Sequence, residues 1–276
     1  MNFVIPMFMQ PGDGNVANNL RLPYIGVTGF TSRDDIESAI DTYFTVLDSS
    51  ASHDFMAGVL VSHHSLSKDG QSSKHPARYP AIDLVPELLG TIKSIGGKHA
   101  IATVHYNTKN PYLHDDVGKL IDVLGTSIDA IQFNVGFVPD ECELRKIKAL
   151  LPARIIVQIN NTIASEHGTS FIATSVSSLP VDHVLIDPSG GKGKNIDVDA
   201  SITMYNALHE KTTACIGFAG GFGPENVEEK TREYIQKLGT TRFSIDAEGK
   251  LRNPVTDVMD MEKVIEYLRG FFRCMS

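Results

Sequence analysis

The fold is decided by the stretch IIVQINNTIASEHGTSFIATSVSSLPVDHVLID, residues 155–187. It begins and ends with short apolar runs, at 155–160 and 183–187, and a segment of helical period lies between them at 171–176. The apolar runs are nearly continuous, which is typical of parallel strands that are covered on both faces. Strand, helix and strand in this order predict a right-handed βαβ crossover.

The same alternation of short apolar runs and helical segments extends over the rest of the chain. Strands are predicted at 24–28, 56–62, 99–105, 130–134, 155–160, 183–187, 214–219 and 243–246. Amphipathic helices are predicted at 34–47, 84–95, 115–124, 140–150, 171–176, 200–210, 225–238 and 261–272. Eight such units fit the size of a closed (β/α)8 barrel.

An open, doubly wound sheet is the alternative to the barrel. It predicts a glycine-rich fingerprint after the first strand, and Thr28-Gly29-Phe30-Thr31 does not match one. We therefore predict an α/β fold, a single (β/α)8 TIM barrel over residues 21–276. An N-terminal extension at 1–20 precedes it, and a long polar loop at 62–80 follows the second strand.

Composition excludes several classes of partner. Lys and Arg total 25 against 33 Asp and Glu, which gives a net charge of −8. This charge disfavours binding to nucleic acid or to an anionic membrane surface. The three cysteines lie far apart, so neither a disulfide framework nor a zinc site is predicted. The apolar start of the chain lacks a basic segment and a cleavage site, so we expect a cytoplasmic protein without a signal peptide. No metal or other cofactor is implied.

Polar residues end most of the predicted strands. They are Thr28, Ser62-His63, His105, Asn134, Asn160, Asp187, Gly220-Gly221 and Asp246. The carboxyl ends of barrel strands meet on one face, so these residues predict a polar pocket there. Gln132 and Gln158 share the pleat face of Asn134 and Asn160. The alternatives are helix caps, turn formers, and amides that bond to one another.

Two segments carry the clearest chemistry. Asp187 ends an apolar strand and is a candidate general acid, and the loop Gly190-Gly191-Lys192-Gly193-Lys194 follows it. Gly220 and Gly221 follow the seventh strand, and Pro224 suits the first turn of a helix, an arrangement that exposes backbone N–H groups to an anion. A tight turn that requires positive φ is the alternative for these two glycines.

The C-terminal half resembles phosphoribosylanthranilate isomerase. The resemblance rests on Leu185-Ile186-Asp187 with Gly190-Gly191-Lys192-Gly193-Lys194, and on Ala219-Gly220-Gly221 with Pro224-Glu225-Asn226-Val227. Pro76-Ala77-Arg78-Tyr79, Ile131-Gln132-Phe133-Asn134 and Val27-Thr28-Gly29-Phe30-Thr31 fall where the family has similar segments. The resemblance covers about residues 22–270 and is most specific over 184–227.

The resemblance implies an Amadori rearrangement of a phosphoribosylated aromatic amine. An aspartate of the family protonates the furanose oxygen, a cysteine thiolate removes a proton from the adjacent carbon, and an arginine binds the anthranilate carboxylate. These roles would fall to Asp187 as the acid, to Arg78 as the carboxylate ligand, and to Gly220 and Gly221 in the phosphate site.

Two positions depart from the family. Thr28 occupies the position of the cysteine, and a threonine hydroxyl is too weak an acid to act as a base unaided, so His105 or Asp246 becomes the candidate base. Glu248 follows the last strand, where the family offers Ser-Ser-Gly to phosphate, and its carboxylate would repel an anion unless Lys192 or Lys250 offsets it.

These residues predict one site and leave three functions open. The catalytic candidates are Asp187, Thr28 and His105, and the substrate-binding candidates are Arg78, Asn134, Asn160, Gly190, Gly191, Gly220, Gly221 and Asp246. The first hypothesis is an isomerase or lyase that acts on a small anionic, phosphorylated metabolite with Asp187 as general acid. The second is authentic phosphoribosylanthranilate isomerase of tryptophan biosynthesis with an altered base. The third is a non-catalytic relative that binds a metabolite.

Overall fold

The structure is a computed structural model that describes residues 22–47, 53–66, 75–188 and 197–275. The predicted N-terminal extension and the glycines at 190 and 191 lie outside the described residues, as does part of the long loop after the second strand. Within the described ranges, no helix is both long and apolar enough to cross a membrane.

Eight parallel strands form the centre of the molecule. They are β1 (Tyr24–Thr28), β2 (Asp54–Ser62), β3 (Ala100–Asn107), β4 (Ala130–Asn134), β5 (Arg154–Asn160), β6 (His183–Asp187), β7 (Cys215–Phe218) and β8 (Ser244–Ala247). Each pairs with the next in parallel, and β8 pairs with β1, so the sheet closes into a barrel. The predicted (β/α)8 barrel is confirmed.

Nine α-helices are found in the described part of the chain. They are α1 (Arg33–Val46), α2 (Val85–Gly96), α3 (Leu113–Leu124), α4 (Glu141–Leu150), α5 (Asn161–Glu166), α6 (Thr169–Ser177), α7 (Val198–His209), α8 (Val227–Leu238) and α9 (Met261–Phe272). Side chains cap several of them, including Ser32 on α1 and Asp140 on α4. The short helix α5 is absent from the predicted pattern.

The hydrophobic core consists of two clusters, one on each face of the barrel strands. Outward residues such as Ile25 and Val27 pack in the large cluster between barrel and helices. Inward residues form a second cluster, which includes Tyr24, Met56, Ile101 and Ile156 and fills the amino-terminal part of the barrel. Because strand side chains alternate between faces, the next inward positions toward the carboxyl ends belong to the polar residues of the predicted pocket.

Candidate active site

A pocket of ≈ 460 Å³, including its open mouth, lies at the carboxyl ends of the strands. Its walls are His105, Gln132, Asn134, Gln158, Asp187, Ala219, Gly220, Gly221, Phe222, Asp246, Glu248, Gly249 and Lys250. The position is the one at which enzymes of this fold carry their active sites.

The carboxyl group of Asp246 is the centre of one hydrogen-bonded group. The hydroxyl of Thr28 donates to it, with Oγ1 3.1 Å from Oδ1 and 3.3 Å from Oδ2, and Nε2 of Gln132 lies 3.3 Å from Oδ2. Gly26 lies beside Asp246 in the β1–β8 register, and a Cβ there would come within 2.7 Å of Oδ1. The glycine therefore provides the space that the carboxyl group occupies.

Burial raises the pKa of Asp246 to about 7. Hydrogen bonds from Gln132 and Thr28 lower this pKa, and the negative charges of Glu248 and Asp187 raise it, but loss of hydration is the largest effect. Asp246 can therefore both accept and release a proton near neutral pH.

Thr28, predicted at the position of the family's base, is fully buried on β1. It pairs with Gly58 in the register of β1 and β2, where a Cβ would lie 2.7 Å from its Oγ1. Since its hydroxyl donates to Asp246, Thr28 orients that carboxyl group.

Asp187 ends β6 on the same face of the barrel and is 3% exposed. Nε2 of Gln158 donates a short hydrogen bond to its Oδ2. The two aspartates thus have separate amide partners on neighbouring strands, Gln158 for Asp187 and Gln132 for Asp246. The two amides, which the sequence placed on the pleat face of the pocket, prove to be the supports of the two acids.

His105 lies on β3 beside Gln132 of β4 and is 5% exposed. Among the described residues neither of its ring nitrogens has a hydrogen-bond partner. Burial lowers the pKa of His105 to about 4, so the ring is neutral at pH 7. A base with this pKa is weaker than the carboxylate of Asp246.

The two asparagines predicted for substrate binding differ in their surroundings. Asn134 lines the pocket. The side chain of Asn160 caps α5 by accepting from the N–H groups of Thr162 and Ile163, and its Nδ2 donates to the carbonyl of Val135 at 2.8 Å. Asn160 is therefore engaged in local structure, as the capping alternative anticipated.

Gly220 and Gly221 line the pocket with φ of 88° and 122°. These values favour glycine, so the tight turn is present at the predicted anion site. The side chain of Asn226 holds the turn, since its Nδ2 donates to the carbonyl of Gly221 at 2.9 Å and its Oδ1 accepts from the N–H of Gly223 at 3.0 Å.

Arg78 is held by two carboxylates that follow β8. Its Nε and Nη2 donate to the two oxygens of Asp257 at 2.6 and 2.8 Å, and its Nη1 donates to Glu248 at 3.0 Å. A ligand carboxylate would therefore have to displace at least one of these partners. Glu248, which lines the pocket, is itself balanced by this arginine rather than by Lys250, which pairs with Glu225 at 2.8 Å.

A second arginine joins the same loops and was not predicted. Arg252 is 2% exposed and donates to the carbonyls of Gly29, Ala77 and Asp257 at 2.8, 3.0 and 2.8 Å. These contacts link the loops after β1, β2 and β8. Nothing in the spacing of Arg252 or Asp257 marks them in the sequence, because both belong to an irregular loop in which Asp257 has a φ of 59°.

Comparisons with known proteins support the fold. No protein-family model and no curated protein matches the chain. Among solved structures, a phosphoribosyl anthranilate isomerase from Thermococcus kodakaraensis is similar with a TM-score of 0.58 and 15% identity, covering 90% of this chain and 98% of that one.

Two further structures share the fold at lower identity. A phospho-2-dehydro-3-deoxyheptonate aldolase from Thermotoga maritima has a TM-score of 0.54 and 12% identity, over 92% of this chain and 69% of that one. The tryptophan synthase alpha subunit from Legionella pneumophila has a TM-score of 0.52 and 10% identity, over 92% and 91%. At these identities the likeness establishes the barrel alone.

Proposed function

We propose that this protein is an acid–base enzyme of the isomerase or lyase type, acting on a small anionic, phosphorylated metabolite. Asp187 gives a proton to a substrate oxygen, and Asp246 removes one from a neighbouring carbon. The observation that carries the proposal is Asp246, a buried carboxyl group with a pKa of about 7 that lines one pocket with Asp187.

The surroundings of Asp246 suit a base. A carboxylate of ordinary pKa is a weak base at neutral pH, whereas one raised toward 7 combines adequate basicity with partial ionisation. Hydrogen bonds from Thr28 and Gln132 fix its orientation. Because Asp187 is held by a different amide, the two carboxyl groups are supported separately and can take opposite roles.

The phosphate is assigned to the side of the pocket formed by Gly220, Gly221, Gly249 and Lys250. Backbone N–H groups of glycine turns bind phosphate readily because no side chain blocks the approach. Two similar structures bear names with a phosphorylated compound, phosphoribosyl anthranilate and phospho-2-dehydro-3-deoxyheptonate. These names support the assignment of the ligand class and do not identify the ligand.

A second candidate is phosphoribosylanthranilate isomerization with Asp246 in place of the family's cysteine. The observation in its favour is the distance of 3.1 Å between Oγ1 of Thr28 and Oδ1 of Asp246. It brings a carboxylate next to the position from which the family's cysteine would act. Growth of a tryptophan auxotroph that lacks this isomerase, after introduction of the gene, would support this candidate. Failure to grow with soluble protein present would exclude it.

The general proposal is tested by hydrogen exchange into substrate. The purified protein is incubated in D2O with a panel of phosphorylated aldoses, ketoses and their amino derivatives, and deuterium at carbon is followed by NMR. We expect exchange or conversion of at least one compound by the wild type, at least 100-fold slower in Asp246→Asn and Asp187→Asn. Full activity of both variants would contradict the assigned roles. Binding of a panel compound without any exchange would favour the non-catalytic hypothesis.

A further inference from the structure

Three side chains of the pocket carry buried polar atoms without a partner. Among the described residues, Oε1 of Gln132, Oε1 of Gln158 and both ring nitrogens of His105 make no hydrogen bond. The three residues are 0%, 4% and 5% exposed, and all three line the pocket. Buried polar groups are normally paired, so such a concentration on one wall points to a missing partner.

The neighbouring carboxyl groups determine which end of each amide is unpaired. Nε2 of Gln132 donates to Asp246, and Nε2 of Gln158 donates to Asp187. In this arrangement each amide presents its nitrogen to the acid and its oxygen elsewhere. The missing partner must therefore donate hydrogen bonds to two acceptors.

The hydrogen-bonding groups of His105 limit which chemical groups can be that partner. The ring is neutral at pH 7, so one nitrogen donates and the other accepts. It stands beside Gln132 in the register of β3 and β4. A group that donates to an amide oxygen and also accepts from a ring N–H satisfies this wall. A hydroxyl does both, whereas an ammonium group only donates and a phosphate only accepts at high pH.

We propose that His105, Gln132 and Gln158 form a subsite for the hydroxyl groups of a polyhydroxylated carbon chain. The inference rests on the proposed function and adds the chemical class and orientation of its substrate. The hydroxylated part lies against β3, β4 and β5, and the phosphate lies across the pocket toward Gly220, Gly221 and Lys250. Each glutamine then links a substrate hydroxyl to one of the two acids, so that binding places the carbon chain between Asp187 and Asp246.

Isothermal titration calorimetry with four defined probes tests the subsite without turnover. The probes are inorganic phosphate, 2-deoxyribose 5-phosphate, ribose 5-phosphate and phosphoethanolamine. We expect ribose 5-phosphate to bind at least about 10-fold more tightly than inorganic phosphate, with 2-deoxyribose 5-phosphate between them. Gln132→Met and Gln158→Met should each reduce this preference about 3- to 10-fold, the loss expected for one hydrogen bond, and leave the affinity for inorganic phosphate unchanged.

Thr231→Val is the matched control. Thr231 is fully buried on α8, and its Oγ1 also has no partner among the described residues. The substitution removes one unpaired polar atom of the helix layer, and the preference for ribose 5-phosphate should be that of the wild type. Circular dichroism establishes that each variant is folded, and Gln158→Asn, which withdraws the amide by one carbon, replaces Gln158→Met if that variant does not fold.

Several outcomes would overturn the subsite. Inorganic phosphate and ribose 5-phosphate could bind with equal affinity, or phosphoethanolamine could bind most tightly of the four. It could also be that none of the four probes binds. The glutamine variants could also keep the full preference for ribose 5-phosphate. The readout is separate from the proposed function. A preference for hydroxylated probes without exchange on any compound would support the subsite and refute the acid–base role. Exchange without that preference would support the acid–base role and refute the subsite.

Discussion

Asp246 accepts a hydrogen bond from Thr28 at 3.1 Å, although 218 positions separate the two residues in the sequence. The contact exists because β8 closes the barrel against β1, in a register that places Asp246 beside Gly26. Thr28 occupies the position where the resemblance predicts a base. The contact connects it to a carboxyl group, that of Asp246, whose pKa is about 7. Thr28, at the position where the resemblance implies a cysteine, thus donates the hydrogen bond that orients the proposed base.

Thr28→Val tests this relation. The substitution keeps the shape of the side chain and removes the hydrogen bond, which stabilises the ionised form of Asp246. The pKa of Asp246 should rise further, by up to about one unit if the bond contributes ~1.4 kcal/mol. The acid limb of the pH–rate profile for the exchange reaction should move to higher pH accordingly. An unchanged limb would show that Asp246 is not the group that titrates there.

Gly26→Ala tests the space around Asp246. A Cβ at this position would meet Oδ1 of Asp246 and Cε of Met56, each at 2.7 Å. Both are ends of side chains that can turn away, so we expect a folded protein with a displaced carboxyl group. Exchange activity should fall at least 10-fold while the unfolding temperature falls by only a few degrees. Gly118→Ala is the control, because a Cβ there meets no atom within 4 Å.

The raised pKa of Asp246 also predicts how stability depends on pH. The folded-state pKa of about 7 lies above the ordinary value of 3.8, so the native state binds this proton more tightly than the unfolded state does. The free energy of unfolding therefore carries a contribution that is lost as pH rises from about 4 to about 7. Asp246→Asn removes it.

Urea titrations at pH 5 and pH 8 measure this contribution. The decrease in unfolding free energy between the two pH values should be smaller in Asp246→Asn than in the wild type by about 2–3 kcal/mol. Asp41→Asn, at an exposed position of α1, should behave as the wild type. Identical pH dependence in the wild type and Asp246→Asn would contradict the raised pKa.

Arg78 provides a test of the loops over the pocket. Arg78→Met breaks its bonds to Asp257 and Glu248, whose side chains are 35% and 21% exposed. Because these pairs are partly screened by water, we expect a loss of about 1–2 kcal/mol in urea unfolding. Arg145→Met removes a more exposed pair with Glu141 and should cost less than about 0.5 kcal/mol. Equal losses would show that the network over the pocket contributes no special stability.

The barrel could be predicted because its signal is local and repeated. Every described strand lies within two residues of its predicted position, and the bounds of β1, β4 and β6 agree with the prediction. Parallel strands with helical crossovers have few arrangements, so eight of them indicate closure. The short helix α5 was missed because its six residues are too few to show a period, and its cap, Asn160, was assigned to the pocket.

The strand pattern predicts several of the side chains that line the pocket, but it does not predict their hydrogen-bonded pairings. Alternation along a strand places Gln132, Asp187 and Asp246 on the inner face. The pairing of each amide with its acid depends on the strand register around the whole barrel. The sequence of a single strand does not determine that register. The engagement of Arg78 by Asp257 depends on an irregular loop with positive φ at a non-glycine residue, for which no pattern exists.

The proposed base role of Asp246 at neutral pH depends on its pKa, which NMR titration measures in protein labelled with 13C at the aspartate carboxyl carbon. The Asp246 signal is assigned by its absence in Asp246→Asn. We expect this signal to titrate with a pKa near 7, and we expect Thr28→Val to raise that pKa. Titration of the same carboxyl group near pH 4 would refute the proposed base role of Asp246.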